Sequence, residues 1–225
     1  MLTLALIDAE LELVPNAIRG HNQVISSAQR VGTRTNKMLL DSSLHYAAMR
    51  KLEDGDRRGR PDLVHLFLLN ALESVANKAG RLNVLIHTRN RELIRIDPST
   101  RLVRNYNRFC GLMQQLFETG QVPPDKPLLR LQKDVTVAEM IAEAKPDRVI
   151  VMDETGQPTA PWQTFDGTGA QEHVLVLIGG FPSGTFRSEL PAGDRVSFGK
   201  EQLTVWTIAA ELLVNYERAM ALRLP

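Results

Sequence analysis

Val174-Leu175-Val176-Leu177-Ile178-Gly179-Gly180-Phe181-Pro182-Ser183-Gly184 joins five consecutive apolar residues to a glycine-rich turn. A short apolar run rich in β-branched residues and closed by glycines reads as a strand buried on both faces. Arg148–Met152 is a second β-rich run, and Leu2–Ile7 a third. Helical patterns separate them. Pro15 can open a helix continued by Asn16–Ala28. Ser42 or Ser43 can cap one running through Met49, and Pro61 sits where prolines start helices. The stretch Leu63–Leu72 is apolar nearly all round and reads as a central helix. Helices are also expected over Asn105–Glu118, Val135–Ala144 and Thr204–Leu222. Leu82–His87 and Leu93–Ile96 read as a hairpin turning near Asn90. Residues 119–127, with three prolines and a glycine, read as a linker. Strands alternating with helices indicate an α/β class with a mostly parallel sheet. A single domain is expected over 1–225, with an extension around 82–98.

The chain has 225 residues, of which 43% are hydrophobic, 5% aromatic and 24% charged. That composition supports a large aliphatic core and excludes disorder. One cysteine, Cys110, excludes a disulfide scaffold and points to a reducing compartment. The N-terminal apolar run lacks a basic segment before it and is too short to span a bilayer, so a soluble, cytoplasmic protein is expected. The five histidines at 21, 45, 65, 87 and 173 are scattered with no ligand spacing, so no metal is expected.

The loop Gly179–Gly184 follows the end of a buried strand, where ligands of open α/β sheets collect. It lacks the spacing of a dinucleotide fingerprint, and no Lys-Ser/Thr follows Gly184 as a phosphate loop would require. Taken alone, a Gly-Gly loop is compatible with a plain turn. A second segment, Ser197–Leu203, leads into the closing helix, where free backbone N–H groups point outward. Two such loops facing each other can pinch an adenine by main-chain hydrogen bonds; the plainer reading is a capped helix.

Net charge is +1, but residues 50–108 hold 13 Lys/Arg against 7 Asp/Glu, a locally basic middle. Arg101, Arg104 and Arg108 are three and four apart, a spacing that shares one face on a helix. No acidic residue lies between Asp97 and Glu118 to neutralise them. Such an array suits phosphate oxygens. Asp62 falls in the first turn of the central helix, where the dipole favours a carboxylate.

Several blocks taken in order resemble a known family: Asp41-Ser42-Ser43-Leu44-His45-Tyr46-Ala47-Ala48-Met49, Gly59-Arg60-Pro61-Asp62, Thr100–Phe109, the loop Gly179–Gly184, and Val196-Ser197-Phe198 through Leu203-Thr204 and Trp206-Thr207. They look like the SPOUT-class pseudouridine-N1 methyltransferases of small-subunit rRNA, the nucleolar essential protein family with archaeal members. The resemblance implies a deep C-terminal trefoil knot, bound S-adenosylmethionine, a homodimer and a role in small-subunit biogenesis. It places the methyl donor against Gly179, Gly184, Phe198, Gly199, Lys200, Glu201, Gln202 and Leu203, with a further contact near Val151. It assigns Arg60, Arg101, Arg104 and Arg108 to RNA, and Asp62 to bracing Arg60. Family members often carry an aromatic and a proline or small residue where this chain has Gly199-Lys200-Glu201-Gln202, which leaves the side-chain roles of those residues open. Asp62 is a chemical candidate for a general base, in competition with its bracing role; the base is otherwise unassigned. Two alternatives stay open: a non-catalytic rRNA-binding assembly factor, and a methyltransferase for another nucleotide such as a tRNA uridine.

Overall fold

The computed structural model describes residues 1–224; Pro225, the last residue of the expected domain, lies outside the described residues. In chain order the elements are β1 (Leu2–Ala9), α1 (Asn22–Val31), α2 (Ser42–Met49), α3 (Pro61–Glu73), α4 (Val75–Lys78), β2 (Leu82–Thr88), β3 (Leu93–Ile96), α5 (Tyr106–Thr119), β4 (Gln121–Val122), β5 (Leu129–Gln132), α6 (Val137–Ala144), β6 (Arg148–Pro158), β7 (Val174–Gly179), β8 (Asp194–Ser197) and α7 (Val205–Ala219). The strands form one eight-stranded sheet in the order β4-β5-β3-β2-β1-β7-β6-β8. From β2 to β8 every neighbour is parallel, with Leu4 opposite both Val84 and Val176. The other end, β2-β3-β5-β4, is antiparallel.

Strand alternation sorts β1 between two cores. Leu2, Leu4 and Leu6 join the larger cluster with Phe67, Phe109, Leu212 and Tyr216, beneath α3, α5 and α7. Ala5 and Ile7 point the other way, to Val151, Leu175, Leu177 and Met140 of α6. A third, separate cluster of Val14, Ile18, Val24, Met38, Leu40, Ala48 and Met49 holds α1 and α2 as a lobe between β1 and α3.

Two expectations are corrected and one strand is added. Residues 119–127 are not a plain linker: Gln121 and Val122 pair with Arg130 and Leu129, so the antiparallel extension begun by the hairpin runs on to Gln132. The helix expected from Asn16 is only a 3-10 turn over Asn16–Ile18. α1 starts at Asn22, where the His21 ring accepts from the backbone N–H of Gln23. The segment before the closing helix contains β8, an edge strand with Asp194 and Arg195 exposed and Val196 buried.

Candidate functional site: a cleft at the strand ends and an arginine face

At the C-terminal ends of β6, β7 and β8 lies a cleft of about 200 Å³. The loop after β7 contributes Gly179, Phe181 and Gly184; the segment after β8 contributes Phe198, Gly199, Glu201, Gln202 and Leu203. These are two of the loops expected to face each other, and a side chain ties them: the Gln202 amide donates to the Pro182 carbonyl at 2.8 Å. At Gly179 the Phe181 ring lies over the backbone, 2.6 Å from where a Cβ would stand, so any side chain there would displace that ring. Gly184 holds φ +87°, a region costly for any other residue. Lys200 is exposed and outside the lining. Val151 is fully buried among core side chains of the opposite face, while its neighbour Met152 reaches the cleft.

The third wall is an irregularity in β6. Met152 and Gln157 both pair with Val196, so the residues between them bulge out of the ladder. A bulge re-aims side chains, and here it turns Asp153, Glu154 and Thr155 into the cleft. Burial pushes the Asp153 carboxyl up, but hydrogen bonds from the Thr155 backbone and hydroxyl, with the Arg195 guanidinium, hold it below the ordinary carboxylate range. The lining thus combines apolar surface from Met152, Val196, Phe198 and Ile208 with three carboxylates, Asp153, Glu154 and Glu201, and no Lys or Arg. Arg195 and Arg57 touch its edge but are committed to Asp153 and Glu10, so the cleft offers no free cation to a phosphate and suits a ligand carrying positive charge on an apolar body.

The arginine face lies at the start of α3 and α5. The Arg60 Nε and Nη2 donate to the two oxygens of Asp62 at 2.8 and 2.7 Å, a bidentate fork. The hydrogen bond to Asp62 holds Arg60 above its usual proton affinity. Arg101 and Arg104 do not share a helix face with Arg108, because α5 begins only at Tyr106, with Asn105 as its cap. They precede it on an irregular approach whose carbonyl at Val103 accepts from His65 of α3 at 2.9 Å. All three are exposed, and none has an ionic partner among the described residues. Tyr106 donates to Asp41 at 2.6 Å, which draws α5 towards the Gly59–Arg60 segment. Burial, then Asp41, push the Tyr106 phenol far above its usual value, so it stays protonated.

Residues 4–217 match the EMG1/NEP1 methyltransferase family. The chain belongs to that family. It is 49% identical over 217 residues to the ribosomal RNA small subunit methyltransferase Nep1 of Thermococcus onnurineus, covering 96% of this chain and 98% of that one. It is 50% identical over 216 residues to the Nep1 protein of Pyrococcus furiosus, covering 96% of each. Its fold is similar to the crystal structure of Archaeoglobus fulgidus Nep1 bound to S-adenosylhomocysteine, with TM-score 0.86, 38% identity, and 97% and 98% of the two chains covered.

Sequence reasoning missed the buried ionic network that joins the two halves of this EMG1/NEP1 family site. Glu10, fully buried just after β1, accepts from Arg57 at 2.8 Å and from Arg89 at 2.7 Å. Its backbone carbonyl accepts the Arg60 N–H at 2.8 Å. Glu12 takes Arg58 in a bidentate pair at 2.7 Å. Arg57 also donates to the Thr185 carbonyl at 3.0 Å and lies 4.2 Å over the Phe181 ring. Asp8 grips the same loop through the Arg187 and Ser188 backbone N–H groups. Much of the basic excess at 50–108 is therefore consumed internally. The only sequence signal was the pairing of charged residues just after a buried strand; their partners lie 46 to 79 residues away.

Proposed function

We propose that this protein transfers a methyl group from S-adenosylmethionine to ring nitrogen 1 of a pseudouridine in small-subunit rRNA, in support of small-subunit biogenesis in the cytoplasm. One observation carries the reading: a carboxylate-lined cleft built from two tied backbone loops is joined, through Glu10 and Arg57, to the segment that carries the braced Arg60. S-adenosylmethionine fits the cleft chemically, because its sulfonium and ammonium are positive and it carries no phosphate. The relatives support the same reading, since they are named as small-subunit rRNA methyltransferases and the similar Archaeoglobus protein holds S-adenosylhomocysteine.

In this reading Gly179, Gly184 and Phe198–Leu203 hold the donor by backbone, with Val151 supporting from the core, and Asp153 and Glu154 meet its charged or hydroxyl groups. When bound, the donor supplies an electrophilic methyl on sulfur. Arg60, Arg101, Arg104 and Arg108 take RNA phosphates and present the unstacked base. The N1 of pseudouridine loses its proton to solvent and forms the N–CH3 bond as the S–CH3 bond breaks, the electron pair of that bond returning to sulfur to leave S-adenosylhomocysteine. The chain supplies alignment and water exclusion. Asp62 acts as brace rather than base, because both its oxygens are occupied by Arg60.

We further infer one domain over 1–225 with its extension around 82–98, a C-terminal knot and a homodimer. The connection from β6 to β7 lies against α7, with Phe165 edge-on to Tyr216 at 5.3 Å, as a loop crossed by the last helix would. Leu66 of α3 and Val214 of α7 stay exposed on paired helices, which suits a symmetric partner. No metal is required, and among the described residues no helix is long and apolar enough to cross a membrane.

The test is methyl transfer from labelled donor to matched RNA loops carrying uridine or pseudouridine. Transfer to pseudouridine alone is expected; equal transfer to both removes the N1 assignment. Calorimetry showing no binding of S-adenosylmethionine leaves only the assembly-factor alternative.

A further inference from the structure

The lobe formed by α1 and α2 has an unusual charge content for a chain whose net charge is +1. Residues 13–52 hold six Lys/Arg and one carboxylate, Asp41. Asp41 is buried and committed: it caps α2 through Ser43 and accepts from Tyr106. Arg19 folds back onto the Val14 carbonyl, and Lys37 pairs with Glu118 of α5. The other four, Arg30, Arg34, Arg50 and Lys51, are exposed and make no ion pair among the described residues. The arginines nearest the cleft are neutralised, by Glu10, Glu12 and Asp153, whereas these four cations, like Arg101, Arg104 and Arg108, are not. Leaving cations unpaired on one lobe costs self-repulsion, which a polyanion relieves.

The lobe also carries an aromatic. Tyr46 on α2 is 59% exposed, and the Arg50 guanidinium, one turn on, covers one side of its ring at 5.1 Å from the centroid. An exposed ring backed by a cation leaves its free face for a nucleobase. The position is specific. The Ser42 N–H donates to the Gly59 carbonyl beside Arg60, Tyr106 of α5 bonds Asp41, and Lys37 reaches the far end of α5. The lobe therefore adjoins the face that carries Arg60, Arg104 and Arg108.

We propose that the α1–α2 lobe is a second RNA-contact surface, in which Arg30 and Arg34 bind phosphates and Tyr46, backed by Arg50, stacks an unpaired base of the strand flanking the target loop. This rests on the RNA reading above and extends it from the target nucleotide to its flank.

The test compares binding of the full chain to a target-loop hairpin and to the same hairpin with a short unpaired extension on each side, over a series of salt concentrations. The extension is expected to tighten wild-type binding. The double variant Arg30→Ala/Arg34→Ala should lower the slope of log affinity against log salt on the extended RNA by about 1.4, from about 0.7 per single-strand phosphate. Tyr46→Ala should lose about fivefold or more on the extended RNA, and Tyr46→Phe should restore it, since stacking needs only the ring. The hairpin alone should bind all variants as wild type. The inference is overturned if the extension adds nothing, or if the variants match wild type on extended RNA. If wild type fails to bind the hairpin at all, the RNA reading itself falls, a result distinct from either.

Discussion

The Gln202 side-chain amide donates to the Pro182 carbonyl at 2.8 Å, and through that bond the two backbone loops of the cleft are held at a fixed separation. Gln202 is exposed, so the bond adds little to global stability. Its effect belongs to ligand binding, where an already closed pair of loops avoids the ordering cost of closing them. Gln202→Ala is expected to weaken S-adenosylhomocysteine binding roughly two- to tenfold, the range of one neutral hydrogen bond. Calorimetry measures this, and the melting temperature should stay within about 1 °C. Unchanged affinity would mean that the loops hold their spacing without the bond.

Arg57 acts on the same cleft from outside. Its guanidinium covers Phe181, whose ring in turn covers the Gly179 backbone, and its Nε is anchored on buried Glu10. Arg57→Met keeps part of the apolar stem but removes the charge. The loss of a cation–π contact predicts donor affinity lower by about 2- to 30-fold. Stability should fall too, by about 3 kcal/mol, because Glu10 loses one of two partners while remaining buried. Chemical denaturation and donor titration separate the two effects. A stability loss with normal donor affinity would show that Arg57 is purely structural.

The readable parts of this molecule were those written in local pattern. Continuous apolar runs marked β1, β6 and β7, and the alternation Leu82–His87 with Leu93–Ile96 marked the hairpin. β8 and β4 escaped because they are short edge strands, and Asp194 and Arg195 at an edge look like loop residues. The bracing of Arg60 came from the family resemblance, and the structure shows the bidentate bond to Asp62. The Glu10 network was not legible, because Arg57 and Arg89 meet Glu10 only once the sheet has formed. The arginine triplet was half right. Its spacing correctly marked an unpaired basic face, but Asn105 starts the helix after Arg104, so only Arg108 sits on it.

His45 gives the fold an acid-sensitive point. It is fully buried, its Nδ1 accepts the Asp41 N–H at 3.1 Å, and burial holds its proton affinity below the usual histidine value. A histidine depressed in the folded state is protonated first in the unfolded one. Its contribution is therefore complete above the unfolded pKa of about 6.5 and is lost as pH falls below that, by up to about 1.4 kcal/mol per pH unit. His173 is depressed in the same direction by burial and adds to the slope. His45→Gln should flatten the decline of unfolding free energy between about pH 6.5 and 5.5, leaving the part due to His173. The slope is the readout rather than the absolute stability, and an unaltered slope would remove His45 as its source.

Asp62 separates RNA positioning from donor binding. The bidentate bond to Arg60 fixes a long side chain that would otherwise sample many rotamers, and a fixed guanidinium loses less entropy on meeting phosphate. Asp62→Gly frees Arg60, removes a carboxylate from the first turn of α3 and adds a flexible backbone unit there. The last two effects cost about 1 kcal/mol each at most, a drop of a few degrees in melting temperature. The first should lower affinity for the target RNA about three- to tenfold, discounted for the partial exposure of the pair. Donor affinity should move by less than about twofold, because Asp62 is absent from the cleft lining. Asp62→Asn retains an oxygen for Arg60 and is expected to fall between. Paired titrations of RNA and S-adenosylhomocysteine decide it: equal losses for both ligands would indicate a general loosening of α3, and unchanged RNA affinity would leave Arg60 with no need of its brace.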